Sequence, residues 1–186
     1  MSENDIVMSE NEVLFRKSSL FDKIVVSGFA VVSAASSVIL TILIAAAAFV
    51  RYIIGGDLYG YEEWVKLAAF WLYFAGGALG AWNNTHVSAD VVDAYLPEGG
   101  LKRFLTFLRY LVTAAVSVLF CWYAFEFFMF GFLGPLGTGI AIPVTTVWQI
   151  PLWTSYLAVF LGFIFMTWYF LVLLARSARA LVRGGC

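Results

Sequence analysis

Charge is the scarcest commodity in this chain. Charged residues fill 12% of its 186 positions, against 62% hydrophobic and 18% aromatic. A soluble domain carries about 25% charged residues, and a domain of this size still turns a large surface to water. The shortage excludes a soluble globular enzyme. Lys and Arg number 11 and Asp and Glu 12, a net of −1, so no basic field exists to hold nucleic acid. A single histidine, His86, excludes a bis-histidine haem and leaves a transition-metal site short of ligands. Two cysteines, Cys121 and Cys186, make no disulfide framework. Phosphate loops, nucleophile elbows and HExxH helices are missing as well. No catalytic residue, cofactor or metal is therefore expected.

What the sequence does have is long apolar runs. A helix needs about 20 apolar residues to cross a bilayer, and four stretches qualify: 24–50, 64–82, 104–123 and 152–174. They do not alternate in polarity as β-barrel strands would. The expected fold is an all-α integral membrane protein with four transmembrane helices. Arg16, Lys17, Lys23, Lys102, Arg103, Arg109, Arg176, Arg179 and Arg183 fall on one side, and only Arg51 and Lys66 on the other. The positive-inside rule then places both termini in the cytoplasm. Residues 1–20 read as an acidic cytoplasmic tail, 21–176 as the membrane domain and 177–186 as a basic tail. The acidic start is no signal-peptide n-region, so the first run reads as a retained anchor. Trp64, Trp148 and Trp153 suit the outer interface, Trp82 and Trp168 the inner one, while Trp71 and Trp122 fall deeper, as packing residues.

The connections differ in character. In the first outer loop, Gly55, Gly56 and Asp57 mark a turn, and Glu62 and Glu63 follow at a helix start. There the two acids either complement the macrodipole or join Arg51 and Asp57 in a charged outer docking face. The inner loop carries Val87, Val91 and Ala94 at helical spacing, which predicts a short amphipathic helix over 87–96 lying on the inner membrane surface. The second outer connection, 131–149, is broken by glycines and prolines, with Pro151 just beyond, yet stays apolar. Irregular apolar backbone at a membrane edge must be buried in protein, and four spans leave part of that cover to another chain.

Few side chains could carry chemistry. Gly76 and Gly80 form a GxxxG pair and Gly77 and Ala81 a second small-residue pair, a pattern that lets helices approach closely. Glu126 is the one carboxylate in an otherwise apolar stretch, and an acid in such a place is a functional candidate. With the third span ending near residue 123, it falls just beyond the hydrocarbon core. His86 and Asp90 are four apart, on one face if helical. The mid-membrane hydroxyls, such as Thr41, Thr113 and Ser117, suit bonds to a neighbouring helix or to their own backbone. No internal repeat of the secondary-transporter kind is seen. An autonomous small proton-coupled transporter using Glu126 is the alternative reading.

The order of residues across the second span points further. Arg51 and Tyr52 follow the first span; Glu63 stands eight residues before Trp71; Gly76 is five later; then come His86 and Asp90. With the Pro143 to Pro151 stretch before the fourth span, this resembles the small membrane subunit of TRAP (tripartite ATP-independent periplasmic) transporters, the DctQ-like family. The resemblance runs over about residues 20–180. It implies a non-catalytic scaffold subunit in the bacterial inner (cytoplasmic) membrane, among membrane lipids. Its partners would be a large elevator-type membrane subunit and a periplasmic substrate-binding protein, in sodium-coupled uptake (symport) of an organic acid anion. Trp71, Gly76, Gly80, His86, Asp90, Pro143 and Pro151 then become candidates for helix packing or the partner interface. Arg51, Asp57, Glu62 and Glu63 become candidates for the periplasmic docking face.

Overall fold

A computed structural model describes residues 20–82, 100–140 and 142–183. The expected inner-surface helix over 87–96, His86, Asp90 and the first 19 residues lie outside the described residues. Four long helices make up the fold: α1 (Leu20–Phe49), α2 (Tyr61–Trp82), α3 (Gly100–Leu133) and α4 (Trp153–Arg183). Each is long and apolar enough to cross a membrane.

Local chemistry sets the helix ends. One wide π turn, Val50–Ile54, prolongs α1 and stops at Gly55, which is left-handed. Helix α3 runs ten residues past the expected 123, because nothing between Phe104 and Leu133 breaks it. It stops where left-handed Gly134 bonds back to the Phe130 carbonyl at 2.9 Å and Pro135 cannot continue the helix. Helix α4 starts where the Pro151 carbonyl accepts both the amide and the hydroxyl of Thr154 (3.2 and 2.7 Å). It continues into the expected tail, to Arg183, and only then meets Gly184 and Gly185.

The helices stand in the order α1–α2–α4–α3. Helix α1 packs on α2, α2 on α4, and α4 on α3. Between α1 and α4 the rings of Phe29 and Phe165 meet, 4.8 Å apart. Burial follows this order. Only 6% of the apolar window of α1 is buried and 11% of α3, against 22% of α2 and 17% of α4. The outer two helices of the row are covered on one side only. The array is therefore a layer one helix thick. Both described interhelical connections lie at the same end of it, called here the loop end.

Candidate functional site

At the loop end the chain builds a clasp. Residues 143–152 fold back on themselves. Val144 bridges Pro151 in antiparallel fashion, the Leu152 amide donates to the Pro143 carbonyl (3.0 Å), and the Thr145 amide donates to the Ile150 carbonyl (3.0 Å). The Thr145 hydroxyl accepts the Ile150 amide at 2.9 Å. At the tip, Gln149 takes a positive φ of 52°, and the amides of Val147 and Trp148 point outward as a pair. Glu63, in the first turn of α2, receives both: Val147 donates to Oε1 at 2.7 Å and Trp148 to Oε2 at 2.9 Å. A carboxylate with two oxygens suits two adjacent amides, and charge-assisted bonds of this kind are the strong ones. Beside them Trp64 and Trp148 pack edge to face, with ring centroids 6.4 Å apart.

Gly60 completes the clasp. Its φ is +81°, and a Cβ there would stand 2.7 Å from Trp148 Nε1 and 2.8 Å from Val147 Cγ1. Only a residue without a side chain both makes this turn and admits the hairpin tip. Pro143 and Pro151 thus belong to the base of the hairpin, not to a helix seam. The irregular apolar segment is covered in part by the chain itself, while Leu136 and Ile140 remain 76% and 88% exposed.

The four outer charges do not form one face. Arg51, Asp57 and Glu62 line a groove of about 470 Å³ between α1 and α2, floored by Ile44, Ala47 and Ala48. Lys66, one turn beyond Glu62, joins them. Glu63 turns the other way, into the clasp.

Helix seams are tightest where glycine meets an aromatic residue. At Gly162 of α4 an added Cβ would lie 2.8 Å from Phe74 Cβ and 3.0 Å from the Phe74 carbonyl oxygen. At Gly131 of α3 it would run into the Tyr156 ring and stand 3.2 Å from Trp153 Cα. At Gly76 of the expected Gly76–Gly80 stripe the fit is looser. Gly76 faces Ser33 of α1 at 3.9 Å, an ordinary contact, and Gly80 lies one turn further along. Gly77 faces Met166 of α4. Trp71 is half-buried in the middle of α2. Rings fill the centre, where Phe120 stacks on Phe163 (5.7 Å) and Phe74 meets it at a tilt of 55° (5.6 Å). Ser117 and Thr167 share a buried hydroxyl bond of 2.7 Å between α3 and α4. Thr41 and Thr113 bond to their own helix backbone.

Glu126 lies inside the apolar span of α3, not beyond it, because that helix continues to Leu133. It is exposed, and its Oε1 accepts the Trp122 indole N–H at 3.1 Å. Trp122 is itself 64% exposed, so among the described residues no neighbouring helix buries it. Among the described residues no group of three His, Cys, Asp or Glu could hold a metal ion.

Residues 40–180, well over half of the chain, match the family described as the DctQ component of tripartite ATP-independent periplasmic transporters. The chain belongs to the DctQ family. No curated protein matches it. A DctQ protein is the small membrane component of a TRAP transporter, working with a large membrane component and a substrate-binding protein. In this DctQ chain the residues that local reasoning missed are Gly60, Val147, Trp148, Gly131 and Gly162. The positive φ at Gly60 and the proline-bounded hairpin leave a weak sequence signal. The partners of Gly131 and Gly162 leave none, since they sit on other helices.

Proposed function

We propose that this DctQ chain is a stationary, non-transporting buttress for the large TRAP subunit in the inner membrane, with both termini cytoplasmic and the loop end periplasmic. The observation that carries this reading is the single-layer row α1–α2–α4–α3. A transport site needs polar groups converging in a cavity with helices around it. A layer one helix thick has two faces and no interior, and its seams are closed where glycines meet aromatic residues. Such a wall can widen and anchor a moving partner. At its periplasmic end the clasped hairpin, with Trp148 57% exposed, gives a substrate-binding protein a firm surface. The groove charges Arg51, Asp57, Glu62 and Lys66 tune the approach of that protein more than its affinity. The cargo is an organic acid anion driven by sodium, and its sites lie in the large subunit.

Proteoliposomes test the division of labour. Vesicles holding this chain alone, given a sodium gradient and the binding protein, should take up no organic acid. Vesicles that also hold the large subunit should take it up. Uptake by the chain alone would overturn the buttress and favour an autonomous proton-coupled transporter using Glu126.

A further inference from the structure

The far side of α3 carries a carboxylate that nothing in this chain needs. Helix α3 meets α4 through Ala114, Ser117, Ala124, Phe128 and Gly131. Glu126 is two residues after Ala124, so it points about 200° away, off the edge of the row. Its depth follows from two levels. The apolar span of α3 is Phe104–Leu133. Glu126 lies about seven residues from the middle of that span, or roughly 11 Å at 1.5 Å per residue. That is inside the roughly 15 Å half-thickness of the hydrocarbon. Independently, Trp153 at the interface meets Phe132, six residues further along α3 and about 9 Å higher.

A carboxylate at this depth faces protein or water, not acyl chains. Trp122 satisfies only Oε1, and among the described residues no donor reaches Oε2. Among the described residues no cation stands nearby. Arg109 is 17 residues back on α3, about 26 Å away. Lys66 lines the groove between α1 and α2, and α4 carries no charge from Trp153 to Leu174. Around Glu126 the exposed face is shaped for a rod. Val112, Ala115, Leu119, Trp122 and Glu126 repeat at three- and four-residue steps, the spacing of a helix seam. Two grooves flank this stripe where α3 meets α4, one from Leu111 to Tyr123 and one from Phe120 to Phe130. From Val112 to Glu126 the stripe runs about 21 Å along the helix. The α1 edge of the row differs, since residues 24–50 hold no charge and suit plain lipid.

We propose that this exposed stripe of α3 seats one transmembrane helix of the large TRAP subunit, and that this helix brings a Lys or Arg to Glu126. The proposal rests on the small-subunit reading above. Its test is co-purification of the full chain, tagged, with the large subunit in mild detergent. Glu126→Lys should lower recovery of the large subunit at least tenfold, and Glu126→Gln by a smaller factor. Replacing the partner's cation by Glu should restore recovery with Glu126→Lys. In the wild-type background, Tyr123 replaced by a photo-crosslinking phenylalanine derivative should give an adduct with the large subunit, which does not depend on how the Glu126 variants fold. Wild-type recovery with Glu126→Lys overturns the proposal. So does an adduct with a second copy of this chain, or with lipid alone. Failure of the wild-type chain to bring down the large subunit at all would instead overturn the small-subunit reading.

Discussion

Gly162→Ala is the sharpest test of how this layer is held together. The added methyl would meet Phe74 Cβ at 2.8 Å and the Phe74 carbonyl oxygen at 3.0 Å. Both obstacles are anchored to the α2 backbone, so no rotamer change relieves them. To regain an ordinary contact of 3.4 Å, α2 and α4 must part by about 0.6 Å. A gap of that size forfeits about a quarter of the dispersion well for neighbouring atoms. The tilted ring contact of Phe74 with Phe163 spans this seam and would loosen with it. Overpacking of this kind costs about 1–3 kcal/mol, which for a chain this long lowers an apparent Tm by about 5 °C. The assay is thermal unfolding of the purified chain in one detergent, beside wild type and Gly76→Ala. Gly76→Ala adds its methyl 3.9 Å from Ser33 Oγ and should unfold like wild type. A Gly162→Ala protein as stable as wild type, with Gly76→Ala the weaker of the two, would refute the packing argument.

Thr167→Val removes the hydroxyl pair with Ser117 and should cost about 0.6 kcal/mol in SDS-titrated unfolding, the average for such bonds in membranes. A loss above about 2 kcal/mol would mean the pair holds α3 to α4 more than ring packing does. Glu63→Leu should free the hairpin tip, so that the Val147 and Trp148 amides exchange hydrogen much faster than in wild type; unchanged protection would show that the carboxylate does not hold them. Gly60→Ala should speed the same exchange with Glu63 intact, because its methyl strikes Trp148 and Val147. If that variant keeps full protection, the close approach at Gly60 is not needed.

Local rules carry far for single helices and stop at their neighbours. Run length is enough to place four spans, because a bilayer sets the length of any helix that crosses it. Breakers locate most ends, yet the third span outruns its expected stop: no charge or proline stands between Cys121 and Phe130 except Glu126, and one acid does not break a helix. Glu63 shows the limit for polar groups. At a helix start it suits the macrodipole whatever else it does, and its hydrogen-bond partners stand 84 and 85 residues away. No spacing within its own helix announces them.

The order of the row is hidden for a more general reason. In water, an apolar stripe marks the side of a helix that faces the core. In lipid the tails are as apolar as leucine, and burial between helices gains little by the hydrophobic effect. An apolar face then reads the same against a neighbour as against lipid. What separates the two is shape: a glycine where a ring or a backbone must come close. Gly162 against Phe74 and Gly131 against Tyr156 are such pairs, and each is split between two helices, beyond the reach of spacing within either one. The GxxxG pair is visible because both its members lie on one helix, and its Gly76 marks a looser contact with α1. A small-residue motif therefore shows that a helix can be approached, while the tightness of the approach is decided by the side chain opposite.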